Sequence, residues 1–172
     1  MLRILIVVDM QNDFISGSLG NENARGVVSR VVDKIKTYDK SCVWATRDTH
    51  SSGYLYTLEG KYLPVEHCIE NTSGWQIHSD IAHLIDEDHI VDKDKFGSLK
   101  LAQAMKQYDD TDTTIELVGL CTDICVVSNA LLLKAVLDKA RVVVDSACCA
   151  GVTPDKHQCA LETLRSCQVE VI

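Results

Sequence analysis

The chain has 172 residues, of which 46% are apolar and 24% charged, and its net charge is −8. These values fit a globular protein of one domain, residues 1–172, long enough to bury a core. The acidic balance argues against a nucleic-acid or anionic-membrane surface, no apolar run reaches transmembrane length, and with two prolines and no low-complexity tract no linker is expected.

Leu2 to Val8 is a near-continuous aliphatic run, the pattern of a strand covered on both faces of a parallel sheet. The run is broken at Asp9 and has no small-residue cleavage site, so it is read as a strand, not a secretory signal, and a cytoplasmic location is expected. Asp9-Met10-Gln11-Asn12-Asp13-Phe14 and a glycine-containing loop follow, then a helical pattern over 22–38 with Val27, Val28, Val31, Val32 and Ile35 on one face. A second strand over 41–46 leads into Arg47-Asp48-Thr49-His50, and residues 51–78 show no sustained period. Short segments at 79–85 (helix) and 89–91 (strand) come next. A helix over 98–107, a strand over 113–118, a helix over 123–140 and a strand over 141–144 follow. A helix over 154–166 and a strand over 169–172 close the chain. This alternation predicts an α/β fold, a three-layer sandwich with a six-stranded parallel sheet and helices on both faces. The helix over 123–140 is apolar on most sides, which suits either a subunit interface or deep burial.

Eight cysteines without a Cys-x-x-Cys pair are expected to be reduced thiols, with Cys42 and Cys159 as small core residues. Cys125 stands apart. It lies two residues past Asp123, read as a helix N-cap, where unpaired backbone N–H groups and the helix dipole favour a thiolate. In open α/β sheets, ligands bind beyond the carboxyl ends of the strands. Asp9, Asp48, His50, Lys93 and Cys125 all fall at such ends. A buried Asp9 is expected to have a raised pKa suited to general acid/base work, against a plain turn-capping role. Lys95 competes with Lys93, and Cys121/Cys125 could also be read as a metal or disulfide pair.

Three ordered segments, Asp9 to Phe14, Val91-Asp92-Lys93 before Phe96-Gly97-Ser98, and Gly119 to Val126, resemble the signature regions of the isochorismatase-like cysteine hydrolases, the nicotinamidase/pyrazinamidase branch above all. The resemblance spans the chain and implies a triad: Asp9 as proton carrier, Lys93 as electrostatic support and Cys125 as nucleophile. It also implies a cis peptide at Leu120–Cys121, with the backbone N–H groups of Cys121 and Cys125 as the oxyanion hole. By the same resemblance, Asp48, His50, Glu59 and His67 would hold one divalent metal ion, with Glu66 the weaker substitute for Glu59. That mixed N/O donor set suits Zn²⁺, Fe²⁺ or Mn²⁺ without choosing among them; Zn²⁺ is the first expectation, with Fe²⁺ or Mn²⁺ as alternatives. Phe14 matches the ring-stacking phenylalanine, and Tyr62 or Leu63 stands where a second stacking residue is expected. Trp75 would line the pocket or pack the loop, Trp44 would sit in the core, and His78, His83, His89 and His157 would be surface or capping residues. The implied activity is hydrolysis of nicotinamide to nicotinate and ammonia through a thioester, by a homo-oligomer whose partner is a small-molecule amide. Another small amide or carbamoyl substrate is the alternative, and a non-catalytic binding domain is the reading from a different class. Vinyl-ether hydrolysis of the isochorismatase kind runs against Cys125. Dinucleotide binding fails because no Gly-x-Gly-x-x-Gly follows the first strand.

Overall fold

The computed structural model describes all 172 residues. Its six strands are β1 (Leu2–Val8), β2 (Val43–Asp48), β3 (Ile90–Lys93), β4 (Thr113–Leu120), β5 (Arg141–Ala150) and β6 (Glu170–Val171). They form one sheet in the order β3-β2-β1-β4-β5-β6, every pair parallel. The expected six-stranded parallel sheet with helices on both faces is the observed fold. Chain order runs outward from β1 through β2 to β3, then restarts at β4 and runs the other way. The switch point therefore lies between β1 and β4, where a parallel sheet opens a crevice for ligands.

The strands alternate their side chains between two cores. Ile4, Ile6, Val8, Ile115, Leu117, Val142 and Val144 pack under α5 (Leu99–Met105), α6 (Val127–Val136) and α7 (Pro154–Ser166). Leu5, Val7, Val43, Ala45 and Val118 pack under α2 (Glu22–Ile35) and α4 (Ser79–Ala82). Each such aliphatic side chain contributes about 1.5–3 kcal/mol of burial. The short helices α1 (Asn12–Ile15) and α3 (Leu58–Tyr62) belong to the loops above the sheet. The latter lies in the segment expected to be irregular. Asn21 caps α2 by accepting the Ala24 N–H, and Thr153 caps α7 just before Pro154.

The sequence pattern over 123–140 is not one α-helix. Thr122–Val126 forms a π-helical turn, and α6 then runs only to Val136. Its end has a clear cause. The Asp109 carboxylate accepts the N–H groups of Asp138 (3.0 Å), Lys139 (2.8 Å) and Ala140 (2.9 Å), pulling that segment out of the helix. Asp123 is not an N-cap either: its Oδ1 accepts the N–H of Val152 at 2.9 Å, tying the turn to the end of β5. That strand reaches Ala150, six residues past the expected end. Cys159 is exposed, because α7 turns Ala160, Leu161 and Leu164 to the core instead. All eight cysteines are free thiols, and no helix is long and apolar enough to cross a membrane.

Candidate active site

The ends of β1 to β4 bring the singled-out residues together. At the end of β1, Asp9 is fully buried with φ +47°. Such a left-handed backbone is uncommon outside glycine and worth attention where it occurs. Its Oδ1 accepts the Thr46 hydroxyl at 2.6 Å, and Lys93 Nζ lies 2.7 Å from its Oδ2 as an ion pair out of hydrogen-bond alignment. Lys93 ends β3 and reaches inward. Besides Asp9, its ammonium meets Asp48 Oδ1 at 3.1 Å, Cys125 Sγ at 3.5 Å and the Lys95 carbonyl at 3.0 Å. The Lys95 ammonium is exposed and paired with Asp94. Between the two lysines, the geometry selects Lys93.

Gly119 makes the close approach of β1 and β4 feasible. Its φ is +117°, and a Cβ there would fall 2.2 Å from the Val8 carbonyl oxygen. Two residues on, the Leu120–Cys121 peptide bond is cis, and the π-turn then sets Cys125 against Lys93 and Asp9.

Burial decides the electrostatics. It pushes the Asp9 pKa up, opposed by the Lys93 charge. It also pushes the Cys125 thiol well above its ordinary value, with Asp9 adding to the rise and Lys93 opposing it. Burial thus works against the thiolate-favouring effect expected from the helix start. Burial works against the Lys93 ammonium, but the charges of Asp9 and Asp48 oppose it and favour the proton there. A proton moving from Cys125 to Asp9 leaves the thiolate as the anion beside Lys93 and removes the carboxylate that opposed it.

A second cluster adjoins the first. Asp48, His50 and His67 are buried, with ligand atoms all within 4.8 Å of one another. Glu59 Oε1 lies 3.7 Å from His50 Nε2 and 3.8 Å from His67 Nε2, so the fourth expected residue is at hand. Glu66 is not in the cluster. Two observations show that these residues fit a divalent metal. His50 Nε2 is buried and, although 2.8 Å from Asp48 Oδ2, is out of hydrogen-bond alignment with it. His67 Nδ1 lies 2.8 Å from the Val65 carbonyl, which only a ring N–H satisfies, so the neutral ring presents the Nε2 lone pair to the cluster. Asp48 belongs to both clusters, its Oδ1 near Lys93 and its Oδ2 2.8 Å from His50 Nε2.

Above them lies a cavity of about 300 Å³, lined by Phe14, Leu63, Phe96, Ile124 and Val152 among others, with Cys121, Cys125, Asp48, Glu59 and His67 exposed to it. Phe14 sits 5.6 Å from the His67 ring, centroid to centroid. Leu63 is part of this wall, whereas Tyr62 is not. As the last residue of α3, Tyr62 is 84% exposed and faces an outer groove of about 640 Å³ shared with Leu58, Lys95 and Phe96. Trp75 packs the loop, donating to Thr49 Oγ1 at 2.8 Å beneath the Arg47 guanidinium. Trp44 is in the core, stacked on His89. His157 is half-buried with Nδ1 2.8 Å from Thr122 Oγ1, bracing the turn that carries Cys125.

Several residues of the site were not singled out by sequence. Asp13 accepts the Cys68 N–H at 2.7 Å and so holds the segment bearing His67. Phe96 separates cavity from groove. Asp13, Phe96 and Ile124 lie inside signature segments, and that position was the only signal. Thr46 and Val152 carried none.

Residues 3–172 match the isochorismatase domain family. The chain belongs to this family. It is 27% identical to the nicotinamidase of Saccharomyces cerevisiae over 99% of both chains. It is also 27% identical to a nicotinamidase/pyrazinamidase of Mycobacterium tuberculosis, over 99% of this chain and 98% of that one. Among solved structures, it resembles the pyrazinamidase of Pyrococcus horikoshii in complex with zinc, with a TM-score of 0.81 and 25% identity over 100% of this chain and 99% of that one. The expected family and fold are both borne out.

Proposed function

We propose that this isochorismatase-family protein is a cysteine amidohydrolase that converts nicotinamide to nicotinate and ammonia in cytoplasmic salvage of pyridine nucleotides. One observation carries the reading: a single buried ammonium, Lys93, stands between the Asp9 carboxyl and the Cys125 sulfur under a mostly apolar cavity the size of a small ligand.

Asp9 takes the thiol proton, and the sulfur of Cys125 attacks the carboxamide carbon while Lys93 balances its charge. The amide oxygen gathers negative charge as its C=O bond becomes single. The N–H groups of Cys121 and Cys125 receive it, and that of Cys121 has no acceptor within the chain. The intermediate collapses as the C–N bond breaks and Asp9 returns its proton to the departing nitrogen, releasing ammonia and leaving a thioester. Water then attacks the thioester with Asp9 as base, the C–S bond breaks, and carboxylate and free thiol are regenerated.

Asp48, His50, Glu59 and His67 would hold one divalent ion; the mixed donor set suits Zn²⁺, Fe²⁺ or Mn²⁺, and Zn²⁺ is preferred because the similar pyrazinamidase structure holds zinc. When bound, that ion supplies a Lewis-acid point for the lone pair of a ring nitrogen. Phe14 and Leu63 would flank the ring. Leu63 offers no aromatic face, which favours a second reading in which another small amide is the better substrate.

The test is ammonia release from a panel of amides by wild type and Cys125→Ala, with the metal content of wild type and Asp48→Ala measured in parallel. Release from nicotinamide that vanishes in Cys125→Ala supports the proposal. Wild-type inactivity on every aromatic amide contradicts the nicotinamide reading, and unchanged metal in Asp48→Ala contradicts the metal site.

A further inference from the structure

Gln11 is the one fully buried carboxamide at the switch point, and the mechanism above gives it no role. Its side chain pairs with a backbone as a strand would. Oε1 accepts the N–H of Asp48 at 2.7 Å, and Nε2 donates to the carbonyl of the same residue at 2.8 Å. Nε2 donates again to the Trp75 carbonyl at 2.9 Å. The flipped amide would set an oxygen against two carbonyls and an NH₂ against an N–H, so the network fixes its orientation.

The residue clamped in this way has a divided task. Asp48 turns Oδ1 toward Lys93 and Oδ2 toward His50 and His67. A small rotation of its backbone would lose one set of contacts or the other. Gln11 also joins the three segments that carry the two clusters. Its own backbone follows Asp9 and bridges to Ile77, its side chain holds Asp48, and its contact with Trp75 holds the loop returning from His67. All three of its side-chain hydrogen bonds go to main chain.

We infer that Gln11 is a positioning residue. Its carboxamide fixes the backbone of Asp48 so that one carboxylate serves the metal donor set and the Lys93 ammonium at once. The inference rests on the metal-binding reading proposed above. Carboxylate ligands are held by such outer contacts, and losing one typically costs about 10–100-fold in metal affinity.

The experiment measures Zn²⁺ affinity by chelator competition on folded full-length protein, for wild type, Gln11→Met and Gln11→Glu. Gln11→Met keeps the length without hydrogen bonds, and Gln11→Glu keeps the shape but sets a second acceptor against two carbonyls. Leu164→Ala, a buried deletion in α7, serves as the control for lost stability alone. The expected result is a loss of about 10–100-fold in Zn²⁺ affinity in both Gln11 variants, with Leu164→Ala unchanged despite a lower Tm. If one Gln11 variant fails to fold, the other is read alone. Zn²⁺ affinity equal to wild type in a folded Gln11 variant, with Tm lowered as in Leu164→Ala, would reduce Gln11 to packing and overturn the inference. Failure of wild type to hold Zn²⁺ would overturn the metal reading and this inference together.

Discussion

Two lysines in this molecule each stand between two carboxylates, and only one of them sits at a site that could do chemistry. Lys93 lies 2.7 Å from Asp9 and 3.1 Å from Asp48 at the strand ends. Lys34 of α2 lies 2.7 Å from Glu116 of β4 and 2.6 Å from Asp145 of β5, on one face of the sheet. The difference lies in the rest of the surroundings. Around Lys34 the other carboxylate oxygens are bound within the protein: Tyr38 donates to Glu116 Oε2 at 2.5 Å with Arg3 beside it, and Asp145 Oδ1 accepts the Ala147 N–H. Glu116 Oε1, like Asp9 Oδ2, meets its lysine at 2.7 Å out of hydrogen-bond alignment. Its lysine holds the Asp145 carboxyl below the usual range against the effect of burial. Around Lys93 the two carboxylates are joined by a thiol and a nearby cavity, and burial wins at Asp9, whose pKa rises. The cluster at Lys34 ties α2 to the sheet, whereas that at Lys93 opens onto a thiol and a cavity.

The largest test of this contrast exchanges the two lysines' roles in turn. Lys93→Met should lower ammonia release about 10³-fold, because the charge facing the sulfur is lost. Cys125→Ala should lower it by about 10⁴-fold or more. Lys34→Met should leave the rate untouched and cost about 2–3 kcal/mol in denaturant unfolding, the loss of one partner from a mostly buried cluster. A catalytic defect in Lys34→Met would erase the distinction.

A smaller effect should appear with pH. The Asp145 pKa is lower folded than unfolded, so its contribution to stability is complete above the unfolded value of about 3.9 and is lost as pH falls through the folded one. Wild type should therefore lose stability below about pH 4 more steeply than Asp145→Asn. Parallel acid limbs would show that Lys34 and Asp145 are not coupled in solution. The smallest effect belongs to the cavity rim. Tyr62→Ala should leave the KM for nicotinamide unchanged, since the side chain faces the outer groove, whereas Leu63→Ala should raise it. Equal KM changes would place both on the substrate.

The sequence made the alternating fold legible because buried parallel strands are nearly uninterrupted aliphatic runs, as Leu2–Val8 shows. Asp9 and Asp48 were legible because strand ends are where such folds put their chemistry, whereas Lys93 was told from Lys95 only by the family resemblance. Features set by partners far along the chain were hidden. The pairing of Lys34 with Glu116 and Asp145 joins three elements with no shared motif. The end of α6 depends on Asp109, nearly thirty residues earlier. The Cys125 thiol looked activated from its neighbours alone, while its state is governed by burial and by Asp9, over a hundred residues away. Tyr62 and Leu63 could not be told apart because the choice turns on which of two adjacent residues ends a five-residue helix.

The most direct test of the central claim is an acid-quenched turnover of nicotinamide, digested and read by mass spectrometry. A nicotinoyl thioester on the peptide containing Cys125, absent in Cys125→Ala, is the predicted result. Ammonia release at the wild-type rate by Cys125→Ala, or an acyl group trapped on a different cysteine, would contradict it.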